Sequence, residues 1–536
     1  MRYIGMQENR MKTEVLVIGS GIAGCISALT IAEKGIEVTL LTQGDDLFTG
    51  NTRLAQGGIV YTGPEDSPKT LEKDISTAGW NYNNKKAVRA IANNGPEALK
   101  KLLLEKYPVP FHKDEDGEYS LTREGGHAVP RILYCADHTG QTIMETLSEC
   151  VAEHPYITVC PNRTAIDLLT NHHHAKGTEF MYTLSNKCLG AYVYNESRDA
   201  VETLLADYTV LATGGLGQIY LHTTNSTGSI GSGVAMANRA RARVINAEMV
   251  QFHPTSFYQG TRSRATRRFL ISEAVRGEGA KLVNSSGEAF MHRYDPRSDL
   301  APRDIVTRSI LEEMLKTEEE CVYLDAANHV NHDLTKRFPT IYGKCLDTGL
   351  DITKQPIPVV PAAHYFCGGV LVDEKGKSTL DRLYAVGECS CTGVHGGNRL
   401  ASTSLLEGML WGFNAGKDIS LRASRKSSLS KRMLNAIPDW ESPGTNANED
   451  PALIAQDWTF IRSVMWNYVG VTRSTARLNR AIDDLQNLNR NLRSFYKRTP
   501  ISRPIIDLFH GCQSALIVTV AALRNKKSVG CHYRID

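Results

Sequence analysis

The stretch Val15-Leu16-Val17-Ile18-Gly19-Ser20-Gly21-Ile22-Ala23-Gly24 determines how the rest of this chain is organised. Its first four residues are β-branched or apolar, which is typical of a buried parallel strand. Gly19, Gly21 and Gly24 then fit the pattern G-x-G-x-x-G, and helical periodicity continues through residues 25–34. In such a unit the glycines let the backbone approach a pyrophosphate, which faces the helix N-terminus. The stretch therefore predicts a dinucleotide-binding domain.

The size and charge of the chain limit the classes of protein to which it can belong. Its 536 residues are enough for two or three domains with a large core. Sixty-one basic residues against 58 acidic ones leave a net charge of +3, which does not favour a nucleic acid partner. Twelve cysteines without C-x-x-C spacing indicate a reduced, cytoplasmic chain, and we expect no metal site.

We expect neither a signal peptide nor a membrane-spanning segment in this sequence. The N-terminus is polar, which predicts no signal peptide. The apolar run at 515–523 is too short to span a bilayer, so we expect no membrane partner. Residues 1–10 are expected to lie outside the fold.

Three further stretches resemble strands of one nucleotide-binding sheet. Residues 36–41 are typical of the second parallel strand, at whose end an acidic ribose-binding residue is expected. The chain has Thr42 and Gln43 there instead. Residues 208–215 and 383–388 are apolar strands that also lead into glycines. Because the carboxyl ends of parallel strands meet at one edge, we expect these turns to face the same ligand.

The composition of the chain predicts four segments. Residues 11–246 form the first part of the dinucleotide-binding domain, and 367–425 form its second part. Residues 247–366 are richer in Arg, His and Glu and predict an inserted α+β domain. Residues 421–450 have the composition of a linker, and helical spacing beyond them predicts a helical domain at 440–536. The predicted fold class is therefore α/β, with a Rossmann-like domain, an inserted α+β domain and a C-terminal helical bundle.

Four motifs, in this order, resemble the succinate dehydrogenase and fumarate reductase flavoprotein family and, within it, the L-aspartate oxidases. They are Ser272–Gly279, Ala301–Asp304, Pro361–Tyr365 and Gly396–Glu407. The resemblance extends from Glu14 to about His532. It implies that the dinucleotide is FAD, bound non-covalently, and that the inserted domain caps the flavin. It also implies that L-aspartate is oxidised to iminoaspartate, the first step of de novo NAD biosynthesis, with O2 (giving H2O2) or fumarate as electron acceptor.

The resemblance also implies the residues that act on the substrate, which has two carboxylates and one ammonium group. Arg303 matches the residue that the family uses to move the proton, and Glu273 and Arg276, three apart, can relay it. Glu124, in a loop that resembles the aspartate-oxidase loop over the active site, would sense the ammonium group. The substrate-binding set is Glu124, Gln251, His253, Ser272, His364, Arg399 and Ser402. Taken singly, each could be a surface ion pair or a core histidine, and the ordered set favours function.

The residues expected to bind FAD follow from the same resemblance. They are Gly19, Ser20, Gly21, Ala23, Gly24, Gln43, Asn51, Thr52, Ala55, Gln56, Gly57, Gly58, Thr164, Ala165, Thr213, Gly214, Gly215, Ser232, Glu388, Ser404 and Leu405. Backbone N–H groups of Ser404 and Leu405, at a helix N-terminus, would stabilise the reduced ring. Family members usually have Lys near Gln43 and Asp near Ser232, so this chain departs from the family beside the cofactor.

Other functions remain open at this point. The nearest alternative is a flavoprotein subunit of the fumarate reductase or succinate dehydrogenase type. A more remote one is an RNA-modifying flavoprotein that would use the arginines of the helical tail, namely Arg473, Arg477, Arg480, Arg490 and Arg493. The sequence also leaves open whether iminoaspartate passes directly to quinolinate synthase.

Overall fold

The secondary structure alternates between strands and helices up to residue 423 and is almost entirely helical beyond it. The computed structural model describes residues 2–3, 9–260, 267–424, 429–442, 444–445 and 450–536. The strands are β1 (Arg2–Tyr3), β2 (Arg10–Ile18), β3 (Val38–Leu41), β4 (Gly58–Val60), β5 (Leu121–Thr122), β6 (Ile132–Tyr134), β7 (Ile157–Cys160), β8 (Arg163–Thr170), β9 (Cys188–Asn195), β10 (Ala200–Leu211), β11 (Val244–Ile245), β12 (Val250–Phe257), β13 (Lys281–Val283), β14 (Val322–Asp325), β15 (Ile357–Phe366), β16 (Gly369–Leu371), β17 (Leu383–Ala385), β18 (Ser390–Cys391), β19 (Thr472–Arg473) and β20 (Tyr533–Arg534). The helices are α1 (Ile22–Ala32), α2 (Pro68–Ala78), α3 (Lys85–Leu99), α4 (Thr139–Glu153), α5 (Thr178–Met181), α6 (Ser232–Arg239), α7 (Glu273–Gly277), α8 (Arg303–Thr317), α9 (Leu334–Arg337), α10 (Pro339–Leu346), α11 (Thr403–Ala423), α12 (Lys431–Ala436), α13 (Pro451–Val469), α14 (Thr475–Tyr496) and α15 (Arg503–Arg524).

A mixed eight-stranded sheet carries the dinucleotide-binding turn. Its main strand order is β7-β3-β2-β10-β9-β8, with β17 paired to β10 and β1 paired to β2. In the parallel part, Ile18 at the end of β2 lies beside Leu41 and Leu211, the last residues of β3 and β10. The turns that follow these three strands therefore meet at one edge, as the sequence predicts. The strand that leads into the glycine turn, β2, begins at Arg10, and β1 pairs with it at Met11 and Lys12. The expectation that residues 1–10 lie outside the fold is therefore wrong for Arg2, Tyr3 and Arg10, because their backbones belong to the main sheet. Residues 1 and 4–8 of that stretch lie outside the described residues.

The inserted segment has its own sheet and its own hydrophobic core. Antiparallel strands lie in the order β12-β15-β14-β13, and α8 packs against β12. A separate buried cluster, which includes Phe257, Phe290, Phe338 and Val359, holds these elements together. The division of the chain at 247 and 366 stays a prediction, which this separate core supports.

The C-terminal helices α13, α14 and α15 pack on one another and share the main hydrophobic core with the sheet. Among the described residues, α15 alone has the length and apolar composition of a membrane span, and 61% of its apolar stretch is buried in the fold. Arg473, one of the arginines considered for RNA binding, is also buried and donates to backbone carbonyls and His532. It is therefore not available to a nucleic acid.

The interpretation of residues 421–450 as a plain linker is wrong where the structure describes them. Leu429, Leu434 and Ile437 are buried in a cluster with Leu169 and Leu189 of the main sheet. Part of the segment forms α12, because these apolar residues cover the outer face of β8 and β9. Residues 425–428, 443 and 446–449 of the predicted linker lie outside the described residues.

Candidate active site

A cavity of about 570 Å³ runs along the carboxyl edge of the main sheet and under the inserted segment. Its wall combines the glycine turn after β2, the loop 48–58, the segment 224–232 and the start of α11. The inserted segment contributes α7 and the first residue of α8, and the C-terminal bundle contributes the first turns of α15. Elements far apart in sequence thus build one continuous site.

The glycine turn is shaped by two close backbone contacts. Gly19 has a φ of +112°, and a Cβ there would lie 2.2 Å from the carbonyl oxygen of Ala212. A Cβ at Gly24 would lie 2.0 Å from the carbonyl oxygen of Gly19. The first contact brings the turn against β10, and the second brings α1 against the turn. The N-terminus of α1 is thereby fixed at the cavity, where its N–H groups can face a pyrophosphate.

Several polar groups in the cavity wall have the chemistry that FAD requires. Gln56 Oε1 and Thr164 Oγ1 are buried without a hydrogen-bond partner among the described residues. Glu388 accepts hydrogen bonds from the Phe366 N–H (2.9 Å) and Asn51 Nδ2 (3.3 Å), and burial raises the pKa of Glu388 to about 7. Unpaired groups at this depth are costly unless a ligand satisfies them, so the residues present fit a bound dinucleotide.

Two arginines converge at the end of the cavity under the inserted segment. Arg303, the first residue of α8, donates from Nε to Glu273 at 2.5 Å and from Nη1 to Gln251 Oε1 at 3.3 Å. Arg399, in the loop before α11, donates from Nε to the same Gln251 oxygen at 3.3 Å and from Nη1 to Ser404 Oγ at 3.1 Å. Gln251 therefore sets the spacing of the two guanidinium groups.

The charges at this end influence one another because water is largely excluded. Burial and the nearby Arg303 lower the pKa of Arg399. Burial opposes ionisation of Glu273, but Arg303 and Arg276 outweigh it and lower the pKa of that carboxyl. Arg276 lies 3.6 Å from Glu273 and donates to the Asp299 carbonyl at 2.5 Å. The three groups form a line of charge that leads from the cavity into the inserted segment.

Two histidines complete the wall beside these arginines. The ring centroids of His253 and His364 are 5.1 Å apart. His253 Nδ1 contacts the backbone N–H of Thr255 at 3.2 Å, and His364 Nδ1 contacts Thr224 Oγ1 at 2.8 Å. Burial and the neighbouring arginines lower the pKa of both histidines well below 6.5. Both rings are therefore neutral at neutral pH, with Nε2 available as a donor when the proton resides there.

Glu124 brings a second carboxylate to the same end of the cavity. A surface ion pair with the neighbouring Arg123 is the alternative role that the sequence allows for Glu124. Glu124 is buried and Arg123 is exposed, so that alternative is wrong. Glu124 Oε2 accepts a hydrogen bond from Ser402 Oγ at 2.7 Å. A Cβ at Gly57 would lie 2.5 Å from Glu124 Oε1, which places the carboxylate against the loop 55–58. Burial raises the pKa of Glu124 despite Ser402 and the arginines.

The structure brings most of the sequence-predicted site residues to this one cavity. Four of them, all described, lie behind its wall instead: Gly24, Gly215, Gln251 and Arg276. Gly24 and Gly215 permit close packing, and Gln251 and Arg276 hold charged groups that do face the cavity. Sequence reasoning missed other wall residues, notably Thr224, Arg267, Arg503 and Asp507. None of them lies in a motif that signals a site.

Comparison with solved structures and family descriptions defines the class of protein. Quinol fumarate reductase of E. coli superposes with a TM-score of 0.87 at 25% identity, covering 98% of this chain and 92% of that one. Sdh1 of Mycobacterium smegmatis gives 0.80 at 28% identity, covering 98% and 89%. The family described as "FAD binding domain" matches residues 14–405, and "Fumarate reductase flavoprotein C-term" matches residues 459–536. Fold and site thus define an FAD flavoprotein with the architecture of fumarate reductases.

Similar curated proteins show to which family within this class the chain belongs. L-aspartate oxidase of Pseudomonas aeruginosa is 41% identical over 98% of this chain and 95% of its own length. The Halobacterium salinarum protein of the same name is 38% identical over 98% and 96%, and the chloroplastic one of Arabidopsis thaliana is 36% identical over 100% and 83%. The chain belongs to the L-aspartate oxidase family.

Proposed function

We propose that this protein catalyses the FAD-dependent oxidation of L-aspartate to iminoaspartate. One observation carries the proposal: the buried carboxylate of Glu124 shares one end of an FAD-binding cavity with the buried guanidinium groups of Arg303 and Arg399. Buried guanidinium groups favour a substrate that carries two negative charges, and the carboxylate of Glu124 suits the ammonium group of L-aspartate. A site that binds a dicarboxylate without an ammonium group has no need of the Glu124 carboxylate.

We assign separate roles in substrate binding and proton transfer to the residues at the end of the cavity under the inserted segment. FAD, when bound, supplies the two-electron oxidation. We assign the substrate carboxylates to Arg399 and His364. We assign to Arg303 the transfer of the proton that the substrate releases, with Arg303 passing its own proton to Glu273. Glu273 and Arg276 lie in line behind Arg303 and can pass that proton onward.

The electron balance fixes the products. Aspartate loses two electrons and two protons as its Cα–N bond becomes the C=N bond of iminoaspartate. With O2 as acceptor they leave as hydrogen peroxide, and with fumarate they leave as succinate. The likeness to quinol fumarate reductase supports the second acceptor.

We also propose a cytoplasmic location and a place in the de novo synthesis of NAD. Iminoaspartate hydrolyses in water, so its consumer, quinolinate synthase, is the expected partner. Light scattering and binding measurements with that enzyme, in the presence and absence of aspartate, test for direct contact.

Anaerobic mixing with L-aspartate tests the proposed reaction. Flavin absorbance near its visible maximum should bleach with L-aspartate, and succinate should bind without bleaching at a comparable rate. Fumarate should then restore the absorbance. Bleaching by succinate alone would reject the proposal in favour of a succinate dehydrogenase type of flavoprotein.

Acid precipitation tests how the flavin is held. Asn51 stands where covalently flavinylated relatives carry histidine, and its side chain here bonds Glu388 and Ser229. We therefore expect the yellow colour in the supernatant. Colour that stayed with the protein pellet would show a covalent link through another residue.

A further inference from the structure

The cavity has a second end, which the proposed reaction leaves unexplained. In dinucleotide-binding folds the adenosine ribose lies beside the end of the second strand, and an acidic residue there accepts hydrogen bonds from its hydroxyls. This chain has Gln43 after β3 and Ser232 at the start of α6, and both residues line the cavity. Neither side chain supplies a carboxylate.

A carboxylate reaches this point from the C-terminal bundle instead. Asp507 of α15 lines the cavity and accepts hydrogen bonds from Gln43 Nε2 at 3.0 Å and 3.3 Å. Arg503, one turn earlier on α15, donates to the backbone carbonyl of Gln43 at 3.2 Å and lies 3.5 Å from Asp507. A cation and an anion of the same helix thus meet beside Gln43, and they lie 460 and 464 residues further along the chain.

The helix that carries Asp507 is fixed relative to the cofactor turns. Ser514 donates to the Gly231 carbonyl at 3.1 Å, directly before Ser232. His510 Nε2 contacts the Ala165 carbonyl at 3.1 Å, beside Thr164 in the cavity wall. These contacts hold α15 against the start of α6 and against β8. We call the part of the cavity lined by Gln43, Thr164, Ser232 and Asp507 the adenosine end.

The ionisation of Asp507 suits a hydrogen-bond acceptor. Its side chain is 19% exposed, and burial raises the pKa of Asp507 to about 6 although Arg503 and Gln43 favour the charged form. The other charged groups here are Glu196, which pairs with Arg503, and Arg163, which pairs with Glu202. At pH 7.5 or above Asp507 is therefore mostly ionised, with lone pairs left for a ligand.

We propose that Asp507 accepts a hydrogen bond from a ribose hydroxyl of the adenosine part of FAD. The C-terminal bundle then completes the cofactor site, and Asp507 replaces the carboxylate that β3 and α6 do not supply. This inference deepens the proposed function and rests on it only for the presence of FAD.

Equilibrium binding to the full-length apoprotein at pH 7.5 tests the inference without any turnover. FAD affinity is measured by flavin fluorescence, and ADP, 2′-deoxy-ADP and 3′-deoxy-ADP are measured as competitors. In the parent protein, loss of the bonded hydroxyl should weaken ADP binding about ten- to a hundredfold, as expected for a hydrogen bond to a charged group. In Asp507→Ala that difference should vanish, and FAD affinity should fall by a similar factor.

Two further variants separate contact from structural damage. Asp507→Asn keeps the shape of the side chain and should lose most of the discrimination while its thermal melting stays near that of the parent. Asp483→Ala removes an exposed carboxylate from α14 and should leave FAD affinity unchanged. Unchanged FAD affinity in Asp507→Ala, or undiminished discrimination against both deoxy analogues, would overturn the inference. Either result leaves the oxidation of aspartate, tested by bleaching, unaffected.

Discussion

The two ends of the cavity hold charge in different ways. At the substrate end, Arg303, Arg399 and Glu124 are buried, with the side chain of Arg303 10% exposed, and each has a fixed hydrogen-bond partner. At the adenosine end, the side chains of Arg503 and Asp507 are 31% and 19% exposed. Electrostatic interactions are stronger where water is excluded, so equal changes in charge should cost more at the substrate end.

This difference follows from what each end has to do. The substrate end must hold reacting groups within a narrow geometry, which requires buried and mutually restrained side chains. The adenosine end only has to keep a cofactor bound, and water can replace part of a lost contact there. The effects of substitutions should therefore differ in size between the two ends. They should also differ in kind: turnover should fall after substitutions at the substrate end, and FAD affinity should fall after substitutions at the adenosine end.

The largest effect should come from Arg303→Leu at the substrate end. A positioned proton-transfer group typically contributes about 10²–10⁴-fold to the rate, so turnover of L-aspartate should fall by at least that order. FAD should remain bound, because Arg303 contacts Glu273 and Gln251 rather than the glycine turn. Stopped-flow bleaching measures the rate, and the flavin spectrum measures occupancy.

Arg308→Leu is the matched control for this variant. Arg308 lies on the same helix and pairs with Asp304 at 3.2 Å. Its loss should leave the bleaching rate near that of the parent. Comparable rates in Arg303→Leu and Arg308→Leu would remove Arg303 from the mechanism.

The next effect in size should be the loss of dicarboxylate binding in Arg399→Leu. Removing one partner of a buried charge pair typically costs about 2–5 kcal/mol, which is roughly 30-fold to several thousandfold in affinity. Succinate should bind correspondingly more weakly, as measured by perturbation of the flavin spectrum. Arg493→Leu, on the exposed face of α14, serves as the control. Unchanged succinate affinity in Arg399→Leu would show that the carboxylates bind elsewhere.

A smaller and selective effect is expected from Glu124→Gln. The amide keeps the hydrogen bond from Ser402 but loses the charge that attracts the ammonium group and repels a bare dicarboxylate. Activity with L-aspartate should fall about ten- to a hundredfold, while succinate binding should be equal or tighter. Arg123→Gln changes the exposed neighbour and should alter neither. If Glu124→Gln oxidises L-aspartate as well as the parent does, Glu124 is not the residue that selects the substrate.

The two ends also differ in how much of them the sequence could predict. Arg303, Arg399 and His364 each stand inside a short motif whose residues are neighbours in sequence, so the pattern alone predicts them as site residues, and all three line the cavity. The fold was accessible for the same reason, because β2, the glycine turn and α1 are consecutive. The sequence also predicts Gln251 and Arg276 as site residues, but only the structure places them behind the cavity wall, where they hold the charged groups that line it.

Long-range packing is what the sequence did not reveal. Asp507 meets Gln43 across 464 residues, and nothing in the helical spacing of α15 distinguishes it from a surface carboxylate. The prediction of a linker at 421–450 is wrong for the same reason. Leu429 and Leu434 pack against apolar residues of β8 and β9, which lie far earlier in the chain. The local composition of such segments contains no information on the surface that they cover.

The smallest expected effect, from Gln43→Ala, tests the comparison at the adenosine end. Gln43 donates to Asp507, and Asp507 keeps its ion pair with Arg503 when the amide is removed. A neutral hydrogen-bonding side chain at a partly exposed site contributes about 0.5–1.5 kcal/mol, so FAD affinity should fall only about two- to tenfold. Gln43→Glu places a second carboxylate beside Asp507 and should weaken FAD binding further. Gln43→Lys places a cation beside Asp507 and should leave FAD affinity equal to that of the parent or higher. Fluorescence titration with FAD ranks the three variants. A loss of a hundredfold or more in Gln43→Ala would mean that the adenosine end is as tightly restrained as the substrate end, and the contrast between them would then be wrong.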